Sequence, residues 1–211
     1  RSLDSLLRSN GAFRAGIAQD ANLSEASVSR ILNQLRKENI ITEARQQTST
    51  SGAPTVLVTL NKEISVLGIE LSNNRLSFGV GNLQGTLDYV ERMPASPQLS
   101  QKDFEKLFSN SAASVREWAK ARGVTLSQAA MSIPGFGRQA GNPIYPWDMK
   151  RLHSFLGEAL PTVPLTLTNS VIAQAAFHRY SDPRYSISGD HLFLFVGHGV
   201  AGVVVNDAEP I

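Results

Sequence analysis

The sequence predicts two domains of different class, a winged helix-turn-helix over residues 1–61 and an α/β domain over residues 62–211. Three observations carry the division. The stretch "NLSEASVSRILNQLRKENII" (residues 22–41) spaces Val28, Ile31, Leu32 and Leu35 at helical intervals, behind a serine, Ser24, suited to capping the helix. Two β-branched runs, "IITEARQQ" and "PTVLVTL", follow at once and are separated by the polar "TSTSGA". After Asn61 the pattern changes to strands alternating with longer amphipathic helices.

Taken in chain order, "SLDSLLRS" is a short helix, apolar at Leu3, Leu6 and Leu7 and closed by "NG". "FRAGIAQDAN" gives a second helix with Phe13, Ile17 and Ala18 inward, and "NLS" is a tight turn into the third. Two short helices joined by such a turn, the second amphipathic, form a helix-turn-helix. Three helices followed by a two-stranded ribbon with a polar tip describe a winged helix, whose third helix enters the major groove.

The outer face of that third helix carries Glu25, Ala26, Ser27, Ser29, Arg30 and Asn33. Short Ser and Ala side chains let a backbone approach base edges; Arg30 can bridge guanine acceptors, and Asn33 can pair with adenine or a phosphate. Ser24 and the helix N-terminus can hold a phosphate. On the ribbon, Arg45, Gln46, Gln47, Thr48 and Ser51 are candidates for backbone or minor-groove contact. The competing reading is a small helical bundle whose polar face is only solvated.

In the second domain, "SVLGIELSNNRLSFGVGNLQGTLDYVERM" reads as three strands separated by "NN" and "LQG" turns. A helix follows from about Lys102 to Arg122, with Phe104, Leu107, Phe108, Ala112, Val115 and Trp118 on its apolar stripe. "LSQAAMSIPGFG" is a strand ending in a glycine-rich loop, "DMKRLHSFLGEAL" a helix, "VPLTLTN" a strand and "SVIAQAAFHRY" a helix. "HLFLFVGHGVAGVVVND" then gives two strands around a Gly-containing turn. The order implies an α/β layout on a mixed sheet.

Bulk properties narrow the function classes. The chain has 211 residues, 42% hydrophobic and 18% charged, enough to bury a core in one or two domains. It has no cysteine, which excludes disulfides and thiolate metal sites and makes a cytoplasmic setting the default. No apolar run reaches the length of a membrane span. The net charge of +2 lies in the first 60 residues, where seven Lys or Arg face five Asp or Glu; the remainder holds thirteen of each. His153, His178, His191 and His198 show no metal-ligand spacing.

Several landmarks occur together and in order: "SEASVSRILNQL", "GAPTVLVTLN", "VLGIELSNNRLSFGVGNLQG", "MSIPGFG", "NPIYPW", "VPLTLTNSVIAQAAF" and "LFLFVGHGVAGVVVN". On them, over essentially all 211 residues, the chain resembles the ROK family (repressor, open reading frame, kinase), and within it the winged-helix, sugar-responsive transcription regulators. The resemblance implies an actin-like ATPase (ribonuclease-H-like) α/β lobe, a double-stranded DNA operator as partner, and a sugar or sugar-derived effector. It also implies a cytoplasmic homodimer or higher homo-oligomer, acting as a repressor.

Departures from the family pattern sharpen the expectation. Family kinases carry an Asp-x-Gly-Gly-Thr-like turn that wraps nucleotide phosphates; this chain has Glu70, Leu71, Ser72, Asn73 and Asn74 there. The family's catalytic base is the Asp of an Asn-Asp pair, and here the pair is Asn169-Ser170. A serine hydroxyl is no base near neutral pH without a partner. No kinase activity, catalytic residue, metal or cofactor is therefore expected. Asn169 is the carried-over ligand contact, with Asn142 and Gly135 as further candidates and Gly137, Gly197 and Gly199 as cleft glycines. For Asn169 the alternative is capping of the following helix, and for the glycines it is turn formation.

The ribbon has Gly52-Ala53-Pro54 where the family has Gly-Arg-Pro, so a minor-groove arginine is absent at that spot. The family's His and Cys zinc cluster belongs to a C-terminal lobe that nothing here matches. Starting at Arg1 without Met, the chain is expected to be a piece of something longer. The rival functional reading is a sugar kinase or kinase remnant whose N-terminal helices form a protein-interaction module.

Overall fold

The computed structural model describes residues 6, 11–46, 55–135, 142, 144–181, 190–197, 199–206 and 209–210. The expected first helix lies outside them except for Leu6, which is helical and fully buried. The N-terminal part then runs β1 (Ala12–Phe13), α1 (Arg14–Ala21), α2 (Glu25–Lys37), β2 (Ile41–Gln46) and β3 (Thr55–Leu60). The strands form an antiparallel sheet in the order β1-β3-β2. Two expectations are corrected here. The ribbon has a third strand, and Phe13 belongs to it, pairing with Leu57 rather than opening the helix.

Local chemistry fixes the turn between α1 and α2. Asn22 takes the left-handed conformation (φ 53) and donates its N–H back to α1, as a helix-ending Asn does. Ser24 then caps α2, its side chain accepting from the Ser27 N–H at 3.2 Å. At the far end Asn39 (φ 61) donates to the Arg36 carbonyl, and Ile40 donates to that of Leu35, which turns the chain into β2. Leu6, Ile17, Val28, Leu32, Ile41 and Val58 close one core beneath both helices. Glu43 on β2 accepts from Arg14 (2.7 Å) and Arg36 (3.3 Å), tying the strand to both helices.

The second domain is built on a five-stranded sheet in the order β6-β5-β4-β7-β8. Its strands are β4 (Ser65–Leu71), β5 (Arg75–Asn82), β6 (Leu87–Pro94), β7 (Leu126–Ile133) and β8 (Leu165–Asn169). β4, β7 and β8 are parallel, while β5 and β6 return as antiparallel hairpins. α3 (Gln101–Arg122) and α4 (Met149–Ala159) cover one face. Strand alternation sends Leu67, Ile69, Leu76, Phe78 and Met131 to that face, where they meet Phe104, Phe108, Leu152 and Leu156.

α5 (Ser170–Ser181) lies over β7 on the opposite face, beside a second antiparallel sheet ordered β11-β10-β9. Its strands are β9 (His191–Val196), β10 (Val200–Asn206) and β11 (Glu209–Pro210). The strands expected at the end of the chain therefore do not join the mixed sheet. Val203 and Val205 of β10 pack on Ala175 of α5. The outward side chains Leu192, Leu194, Val196, Val200 and Val204 are exposed.

Candidate nucleic-acid interface and ligand cleft

α2 buries Val28, Leu32 and Leu35 and half-buries Ile31, which leaves the opposite face outward. Ser24, Glu25, Ala26, Arg30 and Asn33 are exposed there, with Ser27 and Ser29 half-buried at the margin. Ser24 and Ser27 are bonded to each other, their hydroxyls 3.0 Å apart. The Asn33 carbonyl oxygen accepts from Arg36 at 3.3 Å, which holds its amide in place on the surface. Arg45 is exposed on β2, and Gln46 ends that strand. Gln47, Thr48 and Ser51 lie outside the described residues.

The second candidate site forms where β4, β7 and β8 end side by side, the place where parallel sheets bind ligands. Register puts Glu70 beside Ser132, and Ile133 beside Asn169. The β4–β5 turn is closed on itself: the Ser72 N–H donates to the Arg75 carbonyl at 2.8 Å and the Ser72 hydroxyl donates to it at 3.1 Å. Tyr145, fully buried, donates its hydroxyl to the Ser72 carbonyl at 2.6 Å and bolts the turn from behind. Burial pushes that phenol up to about 12.

Asn142 is buried and heavily engaged. Its amide donates to the Pro134 carbonyl (2.9 Å), and its oxygen accepts from the N–H groups of Ile144 (2.9 Å) and Tyr145 (3.0 Å). The same segment is pinned again where the Trp147 indole donates to the Leu99 carbonyl at 3.1 Å. Gly135 follows β7 in the left-handed region (φ 71). Asn169 ends β8, and its oxygen accepts from the Val171 N–H at 2.8 Å, capping α5. The Ser170 hydroxyl is buried without a hydrogen-bond partner among the described residues. Gly197 and Gly199 flank the β9–β10 turn of the second sheet; Gly137 and His198 lie outside the described residues.

From this edge an open groove of about 370 Å³ runs over the sheet face between α5 and β6. Its floor is Gly68, Gly79 and Ala130, and Glu70, Ser77 and Ser132 are among its polar lining. Tyr145 and Ser77 were not singled out from sequence. The only signal for Tyr145 was an aromatic between prolines in "PIYPW". For Ser77 there was none beyond the strand alternation.

No family model matches the chain. An uncharacterised protein of Sinorhizobium fredii, y4fQ, is 26% identical over 225 aligned positions, spanning 100% of this chain and 55% of that protein. A solved ROK family transcriptional regulator, a homologue of the E. coli MLC protein, matches with a TM-score of 0.73 at 18% identity. That match covers 100% of this chain and 54% of the regulator. The ROK hexokinase from Thermus thermophilus (TM-score 0.52, 19% identity) covers 70% of this chain and 48% of its own. The ROK glucokinase from Streptomyces griseus, solved with glucose and AMPPNP, gives 0.51 at 16%, covering 70% and 46%.

The chain thus spans about half the length of these relatives. At such identities the likeness defines the fold alone: the α/β arrangement with its mixed sheet is that of the solved ROK-family proteins. Among the described residues no helix is long and apolar enough to cross a membrane.

Proposed function

We propose that this chain is a DNA-binding transcription regulator of the ROK type, a repressor that answers to a sugar-like ligand and does not phosphorylate it. The observation that carries the reading is the outer face of α2, where Ala26, Arg30 and Asn33 stand exposed beside the β2–β3 hairpin. Residues 1–61 are read as the winged helix, in which α2 enters the major groove of a duplex operator. The regulator structure matches the whole chain and the two kinases 70% of it, which favours a regulator with an extra domain over a bare kinase. One such domain reads few base pairs, so a homodimer on an inverted repeat is part of the proposal.

The ligand would sit at the strand ends beside Asn169, Asn142 and Gly135. Against phosphoryl transfer stand the closed β4–β5 turn, whose Ser72 N–H is already bonded, and a serine in the place of the base. The likeness to sugar kinases keeps the second reading open to test: ATP-dependent phosphorylation of a hexose by the purified chain would establish it.

The deciding experiment is selection of bound sequences from a random duplex pool at two salt concentrations. An enriched inverted repeat is expected. Arg30→Ala should weaken binding to it by about tenfold to a hundredfold, the worth of one bidentate base contact. Sequence-blind binding that vanishes at moderate salt would leave only the phosphate contribution and overturn the regulator reading.

A further inference from the structure

The β5–β6 turn reaches out of its own domain. Inside the turn, the Asn82 side chain accepts from the N–H groups of Gln84 (3.0 Å) and Thr86 (3.2 Å), and the Gly85 N–H donates to the Asn82 carbonyl at 3.0 Å. These bonds make a stiff loop that projects Leu83 and Gln84. Leu83 packs against the hydrophobic core of the N-terminal domain. Gln84 donates its side-chain amide to the carbonyl of Leu60, the last residue of β3, at 2.8 Å.

The covalent link between the domains, residues 61–64, has little slack of its own. Asn61 is buried; its N–H donates to the Ile40 carbonyl (2.9 Å) and its side-chain amide to that of Asn39 (2.8 Å). Its side-chain oxygen accepts from the Glu63 N–H at 3.0 Å. A continuous path therefore joins the C-terminal end of α2, through Asn61 and Leu60, to the β5–β6 hairpin.

We infer that Leu83 and Gln84 are positioning residues that seat the N-terminal domain on the α/β domain and fix the direction in which α2 points. The seat is a property of the single chain. It deepens the DNA-binding reading in one respect, resting there on that reading: in a pair of chains the separation of the two α2 helices is set by this docking and not by a loose tether.

The absence of cysteine makes the test direct. Lys37 on α2 and Lys120 on α3 are both exposed, and Lys37→Cys with Lys120→Cys accepts two spin labels at chosen sites. Pulsed dipolar spectroscopy should give one narrow distance distribution in the labelled chain. Leu83→Ser and Gln84→Ala together should broaden it by roughly twofold or more, because the short link through residues 61–64 then holds the two parts without the seat, and Leu83→Met with Gln84 retained should restore it.

Gln84→Ala alone removes one hydrogen bond and no apolar side chain, so it tests the seat even where Leu83→Ser unfolds the N-terminal domain. A distribution unchanged by the double substitution, or already broad in the parent, overturns the inference. No DNA enters the measurement. A chain with the narrow distribution that binds no operator keeps the seat and loses the regulator reading.

Discussion

Replacing Tyr145 by phenylalanine deletes a single oxygen from behind the β4–β5 turn, at the back of the proposed ligand cleft. The ring would stay packed against Trp147, 4.6 Å between centroids, so the loss is confined to the 2.6 Å hydrogen bond and the Ser72 carbonyl it leaves behind. A buried bond of this kind costs about 1–2 kcal/mol when one partner is removed. With a urea dependence of about 1–3 kcal/mol/M, the midpoint should fall by roughly 0.3–2 M at unchanged slope. Both tryptophans, Trp118 and Trp147, lie in the α/β domain, so their fluorescence follows that domain alone.

The same substitution carries a pH signature. In the fold the Tyr145 phenol is pushed up to about 12 by burial, whereas an unfolded chain releases that proton near about 10. Below the unfolded value both states hold the proton and the group contributes no pH dependence. Between the two values only the unfolded chain releases it, so stability falls as pH rises through that window. Tyr145→Phe should fall less steeply there by one proton; Tyr89, whose phenol is likewise pushed up to about 12 by burial and by the neighbouring Glu91, is common to both proteins. An unchanged urea midpoint, or equal alkaline slopes, would refute the assignment of Tyr145 as the bolt of the β4–β5 turn.

Two further predictions concern local structure. Ser24→Ala should destabilise the N-terminal domain by about 1 kcal/mol through loss of the α2 cap, seen as faster amide exchange at the start of α2, while Ser24→Asp should retain the protection. Gly81→Ala places a methyl carbon 2.9 Å from the Thr86 carbonyl oxygen. It should destabilise by about 1–3 kcal/mol, measured by urea unfolding, and should disturb the turn that carries Leu83.

The elements with a strong local signature were legible from sequence. α2 is one, because Val28, Leu32 and Leu35 repeat with its turns and Ser24 marks its start. β1 was not: two residues cannot show a period, and Phe13 fitted a helical interval with Ile17 until pairing with β3 claimed it. The apolar runs "HLFLFV" and "GVVVN" announced two strands without saying which sheet they join, since that depends on partners distant in sequence. Asn142 and Asn169 are named only through the family resemblance. Their hydrogen bonds depend on how the loops close, and sequence spacing does not encode that closure.

The outward face of the β9–β10 sheet presents Leu192, Leu194, Val196, Val200 and Val204 to water. Contacts made through such a face strengthen with sulfate and with moderate warming, whereas the proposed contact with DNA phosphates weakens as salt is added. The two kinds of association therefore respond to buffer in opposite directions. A sulfate titration read by both light scattering and DNA retention would separate any contact made through this face from binding to DNA.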